Sequence, residues 1–372
     1  MQRTIPPFRA DHVGSLLRSP ALRAAREQRE RNEITPEQLR EQEDAGIRTN
    51  VAKQAEIGLR SATDGEFRRA MWHFDFLERL DGCEGYTSAQ GIAFKGITTK
   101  ARGVRVVGKL GFSGHPMLDH FSFLRDTVAE SANPSVTPKM TIPSPSVLHF
   151  RGGRAAVSEA IYPEMGDFYA DLGSAYNGAV HAFADLGCRY LQLDEVNLAY
   201  LCDAEQRQIL KDRGDDPDKL PGIYADLINA AVAGRPSDMV ITMHLCRGNF
   251  RSSWIAQGGY EPVAEILFNQ INVNGYFMEF DTERAGGFEP LRFVPPGKTV
   301  VLGLVTSKTG DLESKDELKR RIDDAAKYIP LEQLCLSPQC GFASTEEGNM
   351  LTEQQQWDKL SRIVEVADEV WG

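Results

Sequence analysis

In the run MHLCRGN, His244 and Cys246 stand two residues apart, so on an extended strand both side chains leave the same face and could grip one ion. Cys340, in the polar turn SPQCGF, follows a later apolar run, and Glu279 closes another. An imidazole, two thiolates and a carboxylate make a tetrahedral set suited to Zn²⁺, because S and N donors disfavour Mg²⁺ and Ca²⁺. An H-x-C pair alone is also what a buried cysteine beside a capped histidine looks like. The Gly-flanked Cys340 after a different strand tips the reading to a metal. On pattern alone Asp281 and Glu283 share the strand parity of Glu279, so the carboxylate ligand stays open among the three.

The charge of such a set specifies its use. Two thiolates and a carboxylate bring more negative charge than a divalent ion neutralises, so the centre is a poor electrophile for polarising carbonyls. It suits a thiol substrate, whose pKa the ion lowers while the electron-rich ligands keep the sulfur nucleophilic. Glu279 is the natural ligand to loosen when that sulfur arrives. The expected chemistry is transfer of an alkyl group, methyl foremost, onto a small thiol.

Other polar residues could orient such a substrate. Asp64, Glu66, Asp194 and Glu195 could hold the ammonium of an amino acid, and each could equally serve as an ion-pair or helix-capping carboxylate. Ser15, after Gly14, could donate to a substrate carboxylate or simply cap the helix that begins near Pro20. Arg247 could orient a carboxylate or form a structural ion pair. Trp72 and Phe74 could stack on a flat donor or fill core. Cys83, Cys188, Cys202 and Cys335 have no partner at useful spacing and read as structural.

These residues share one placement: DGE (64–66), LDEV (193–196), MHLCRGN (243–249), MEFDTER (278–284) and SPQCGF (337–342) all end predicted strands. From about residue 139, short β-forming runs alternate with helical patterns, the signature of βα units on a parallel sheet. Strands are predicted at Met140–Leu148, Tyr190–Glu195, Met239–His244, Gly275–Phe280, Val300–Val305 and Gln333–Leu336. HVGSL (12–16) and SATDGE (61–66) add two strand ends, on either side of the helical stretch Thr35–Gly58. Eight strands with interposed helices predict an α/β fold of TIM (β/α)8 barrel type, whose strand ends converge on one mouth. Residues 83–138 break the rhythm and read as an antiparallel β insertion or lid between the second and third barrel strands, turning at Lys100–Gly103. The whole chain, 1–372, reads as a single domain.

Composition agrees with a soluble enzyme. The 372 residues carry a formal net charge of −11, which argues against nucleic acid or an anionic membrane as partner. No apolar run approaches the roughly 20 residues needed to span a bilayer, and the N-terminus lacks a signal-peptide core, so a cytoplasmic location is expected. The six cysteines are too sparse for a disulfide framework. Nothing in these features fixes the oligomeric state.

The ordered series DHVGSLLR, DGEFRR, YLQLDEV, MHLCRGN, MEFDTERAG and LSPQCGF resembles the catalytic barrel of cobalamin-independent methionine synthase, especially its short, single-barrel relatives, from about residue 9 to the C-terminus. The resemblance implies zinc bound by His244, Cys246, Glu279 and Cys340. It implies homocysteine held by Ser15, Glu66 and Asp194 with its sulfur on the zinc, and methyl transfer from 5-methyltetrahydrofolate. Two departures bear on the donor. The long enzyme has two barrels and this chain has length for one. Where the long enzyme carries a histidine that protonates the departing folate, the strand LGLVTSKTG offers Thr306 or Ser307, with Lys308 next to them. A methyl-corrinoid donor would need no such proton.

Two other readings keep the same residues. In the epoxyalkane:coenzyme M transferases of the same superfamily a zinc-bound thiol opens an epoxide, but a sulfonated thiol needs cations, whereas Glu66 and Asp194 suit an ammonium. A barrel with a closed, purely structural zinc would be a binding or regulatory protein.

Overall fold

The computed structural model describes residues 1–131, 133 and 135–372. After an extended start come α1 (Pro20–Glu30), α2 (Pro36–Glu56) and β1 (Ser61–Ala62). Then follow α3 (Phe74–Leu77), β2 (Asp81–Thr87), β3 (Ala93–Phe94), β4 (Ile97–Thr98), β5 (Arg102–Gly111), α4 (Pro116–Glu130) and β6 (Thr137–Pro138). The next elements are β7 (Met140–Pro143), α5 (Ser146–Gly152), α6 (Met165–Asp185), β8 (Tyr190–Glu195), α7 (Asn197–Tyr200), α8 (Ala204–Asp212) and α9 (Leu220–Val232). The chain closes with β9 (Val240–Leu245), α10 (Glu261–Gln270), β10 (Gly275–Glu279), β11 (Thr299–Val305), α11 (Lys315–Ala325), β12 (Leu334–Pro338) and α12 (Glu353–Trp371).

The helices begin where sequence chemistry places their caps. Thr35 and Gln38 form a capping box at α2, with Pro36 in the first turn, and Thr352 and Gln355 form another at α12. Strands β7 to β12 make one parallel sheet of α/β type in the order β12-β11-β10-β9-β8-β7. Every residue of β8, β10, β11 and β12 is buried, which is why these strands read as nearly continuous apolar runs. β1 pairs with β6 in parallel. The extended start touches both edges of this array: Asp11 N donates to Leu336 O at 3.0 Å, and Leu16 N donates to Gly65 O at 3.1 Å.

Side-chain alternation carries the core into the site. Val13, Tyr190, Phe277, Val301 and Cys335 pack in one small cluster. Two residues further along β8 and β10 on the same face are Gln192 and Glu279, and Asp194 lies two beyond Gln192. The register sets Asp194 opposite His244 and Phe277 opposite His244 on the other flank. Polar residues at the strand ends thus stand on the same face as an apolar floor.

The structure corrects two predicted boundaries. The strand expected over Met140–Leu148 stops at Pro143, and Ser146 already opens α5. Pro143 and Pro145 have no N–H to continue a ladder, so apolar Val147 and Leu148 belong to a helix. In the 83–138 stretch, of which positions 132 and 134 lie outside the described residues, β2 and β5 pair antiparallel and β3 and β4 form a short hairpin. Its turn is at Lys95–Gly96, where Gly96 takes φ +82°, and not at Lys100–Gly103, where β5 begins. Among the described residues no helix is long and apolar enough to cross a membrane.

Candidate metal centre

The carboxyl ends of β9 and β10 and the turn after β12 bring four side chains together. One ligand atom from each of His244, Cys246, Glu279 and Cys340 lies within 4.8 Å of the others, and all four residues are buried. The Cys246 and Cys340 sulfurs are 3.4 Å apart. Glu279 Oε1 accepts from the Arg247 backbone N–H at 2.8 Å, and its Oε2 accepts from Arg284 at 3.3 Å. The two other carboxylates of matching parity are elsewhere: Asp281 faces Arg284 at 3.5 Å, and Glu283 is exposed in a 3-10 turn.

These residues fit a divalent cation. Both ring nitrogens of His244 are buried without a hydrogen-bond partner. Burial pushes the Glu279 carboxyl upward, and the negative charge of Cys340 adds to this. The Cys246 thiol is raised by its hydrogen bond with Cys340, which that same bond lowers. Three acids packed in a dry site oppose one another's ionisation, and an unpartnered imidazole stands beside them. A soft dication offsets all of this at once.

The neighbouring carboxylates have the same character. Ser15, Glu66 and Asp194, each nearly buried, line one cleft with His244, Cys246 and Cys340. Glu66 Oε1 accepts from Thr141 Oγ1 at 2.8 Å and lies 3.4 Å from Arg69. Gln192 Nε2 bridges Val13 O and Asp194 Oδ1, both at 2.7 Å. Burial, with the charge of Glu66 adding, pushes the Asp194 carboxyl up to about 7, and burial raises Glu66 as well. Two carboxylates so placed are short of positive charge, which an ammonium supplies.

Several sequence candidates fall elsewhere. Asp64 accepts from the Glu66 N–H at 2.8 Å and does not line the cleft. Glu195 caps α7 through the Asn197 and Leu198 N–H groups and accepts from Ser146. The Arg247 side chain turns away from the cleft, its guanidinium 4.1 Å from the Tyr260 ring centre, so its contact with the cluster is through its backbone. Trp72 lines the cleft and stacks on His73 with ring centres 4.4 Å apart, while Phe74 is core. Sequence reasoning missed His73, Arg151, Tyr200 and Asn249, which also line the cleft. Tyr200 and Asn249 follow the ends of β8 and β9, a signal shared by many residues that do nothing, and His73 and Arg151 lie further from any strand end.

A parallel α/β fold with an imidazole, two sulfurs and a carboxylate gathered at its strand ends defines an enzyme class built around a candidate thiolate metal centre. Comparison makes the class particular. Residues 8–369 match the family described as "Cobalamin-independent synthase, Catalytic domain". The chain belongs to that family of methyltransferases. Two Bacillus subtilis (strain 168) proteins, YxjG and YxjH, both described as uncharacterized, are similar throughout. YxjG is 52% identical over 100% of this chain and 97% of its own length, and YxjH is 51% identical over 98% and 95%. A crystal structure from Listeria monocytogenes, named after vitamin-B12 independent methionine synthase, is 43% identical with a TM-score of 0.80, covering 99% of both chains.

Proposed function

We propose that the chain is a zinc-dependent S-methyltransferase that converts homocysteine to methionine. The observation that carries this reading is the meeting, in one cleft, of His244, Cys246 and Cys340 of the four-residue metal cluster with Ser15, Glu66 and Asp194. Zinc would be held by His244, Cys246, Glu279 and Cys340, and when bound it supplies the acidity that lets the substrate thiol react as thiolate. Glu66 and Asp194 hold the substrate ammonium, and Ser15 donates to its carboxylate. Gln192 and Thr141 fix the two carboxylates, so the amino-acid head is oriented before the sulfur reaches the cluster. Trp72 borders the space left for the methyl donor, a methyl-folate or a methyl-corrinoid. Asp64 and Arg247 support these groups through the backbone contacts described above.

The proposed architecture is a single domain, 1–372, in which the parallel sheet, the 12–16 segment and β1 close as an eight-stranded TIM barrel, with 83–138 as an insertion over its mouth. The described cysteines are all free thiols, the state a reducing compartment maintains, and the cytoplasm is the proposed location. The decisive experiment supplies the zinc-loaded protein with homocysteine and, separately, 5-methyltetrahydrofolate or methylcobalamin, and measures methionine. Methionine from one donor supports the reading. Methionine from neither sinks it.

A further inference from the structure

Besides the groups assigned to homocysteine, the cleft is lined by a wall of Trp72, His73, Phe94, Arg151 and Tyr200. Arg151, at the carboxyl end of α5, is the only lysine or arginine among the described residues lining the cleft. The neighbouring cation Arg154 is paired with Glu159. Arg151 itself has no ion-pair partner among the described residues, and its Nε is buried without a hydrogen bond. The guanidinium lies 5.8 Å from the Tyr200 ring centre, and the Tyr200 hydroxyl and both His73 ring nitrogens are likewise buried and unpartnered. Arg151 is half-buried, so its guanidinium reaches water in part, but no carboxylate among the described residues balances it, and the buried polar atoms beside it call for a partner.

The cation does not serve the homocysteine head pocket. The charges acting most on Glu66 are Arg69, Asp64 and Arg18, and those acting most on Asp194 are His244, Glu66 and Arg69. Arg151 belongs to neither set. Burial, with Arg151 and Arg102 adding, holds the His73 imidazole well below its ordinary value, so His73 is neutral and Arg151 is the positive charge of this wall. Beside it, the Trp72–His73 stack, inclined by 29°, offers a flat aromatic face.

We infer that this wall is the subsite of the second substrate, and that Arg151 recognises an anionic group, carboxylate or phosphate, on a planar molecule lying along Trp72. The inference rests on the proposed function only in naming that ligand the methyl donor. Arg151 selects and positions it and takes no part in bond making.

The test uses the full, zinc-loaded chain and three probes of one shape, naphthoate, naphthyl phosphate and naphthamide, titrated calorimetrically. At least one anion should bind about tenfold more tightly than the amide, the effect of one charge-assisted hydrogen bond, and the tighter of the two tells carboxylate from phosphate. Arg151→Gln should abolish that preference and Arg151→Lys should retain part of it. Equal affinity for anions and amide, no binding of any probe, or an undiminished preference in Arg151→Gln overturns the inference. Homocysteine titrated into the same variants should bind as in the parent. A matching loss of homocysteine affinity in Arg151→Gln assigns Arg151 to the thiol substrate and also overturns it. Failure of homocysteine to bind the parent sinks the proposed function instead, and the probe result stands independently of that failure.

Discussion

The sulfurs of Cys246 and Cys340 lie 3.4 Å apart although 94 residues separate them in sequence. No disulfide joins them, so a shared cation is what would hold two such groups together in a site that favours ionising Cys340 and disfavours ionising Cys246 beside it. Cys340→Ser should therefore lower zinc content well below one per chain and abolish methyl transfer, whereas Cys335→Ser should alter neither. Elemental analysis of the two purified variants checks this. Full zinc and activity in Cys340→Ser would remove the ligand assignment.

Glu66→Gln and Asp194→Asn keep shape and remove charge. Each hydrogen bond to an ionised group is worth about 1.5–3 kcal/mol, so each variant should raise the KM for homocysteine by about tenfold or more. Zinc content should stay at the parent level, because neither residue belongs to the four-residue cluster. Asp64→Asn, whose parent carboxylate meets only the Glu66 backbone among the hydrogen bonds described, should change KM far less. Steady-state kinetics on variants with measured zinc content separates these outcomes.

The cluster was legible in sequence because period-two alternation fixes the direction of His244 and Cys246 without knowledge of the rest of the chain. Cys340 needed only the assumption that strand ends converge. The choice of Glu279 over Asp281 and Glu283 was not legible from parity, since it depends on where β10 ends. The Arg247 side chain was opaque for a similar reason: its direction is decided by Tyr260, outside its own strand. Arg151 escaped entirely, because the strand expected through Leu148 hid the break at Pro143–Pro145 that turns this segment into α5 and carries Arg151 to the cleft.

Gly341 is a close-approach glycine beside the proposed substrate pocket. A Cβ there would come within 2.0 Å of Ser15 Oγ and 3.2 Å of Ser15 N. Gly341→Ala should cost about 1–3 kcal/mol of stability by overpacking and should weaken homocysteine binding by displacing Ser15. Adding Ser15→Ala should recover part of the stability and none of the affinity. Denaturant unfolding of the two single variants and the double variant measures the coupling. Independent, additive effects would mean that Ser15 is not what the new methyl group meets.

At the other end of the core, Lys139 and Asp11 form a fully buried pair at 3.4 Å, with the ammonium 4.0 Å from the Phe277 ring centre and 4.8 Å from that of Tyr190. Asp11 also accepts from Ser61 and from Tyr190, each at 2.8 Å. Lys139→Met leaves that carboxylate buried without its cation and should cost about 3–5 kcal/mol. The double variant Lys139→Met with Asp11→Asn should be less destabilised than Lys139→Met alone, because the stranded charge is gone. Zinc content per folded molecule should be unchanged in both. A double variant as unstable as the sum of the singles would show that packing and not charge governs this end of the core.

Lys308 offers a way to tell the two methyl donors apart. It follows β11, its N–H is held by Thr306 Oγ1 at 3.2 Å, and its Nζ is buried without a hydrogen-bond partner. Its positive charge acts on Glu279, Cys246 and Cys340, so it faces the metal cluster. A methyl-folate releases its methyl group readily only when the departing amine is protonated, and the long enzymes have a histidine where this chain has Thr306 or Ser307. If Lys308 delivers that proton, Lys308→Met should slow transfer from 5-methyltetrahydrofolate by about 10²-fold, the scale of one general acid. Transfer from methylcobalamin, which needs no proton, should continue at the parent rate. Equal slowing with both donors would assign the ammonium to charge compensation of the cluster, and an unchanged folate rate would remove Lys308 from the reaction.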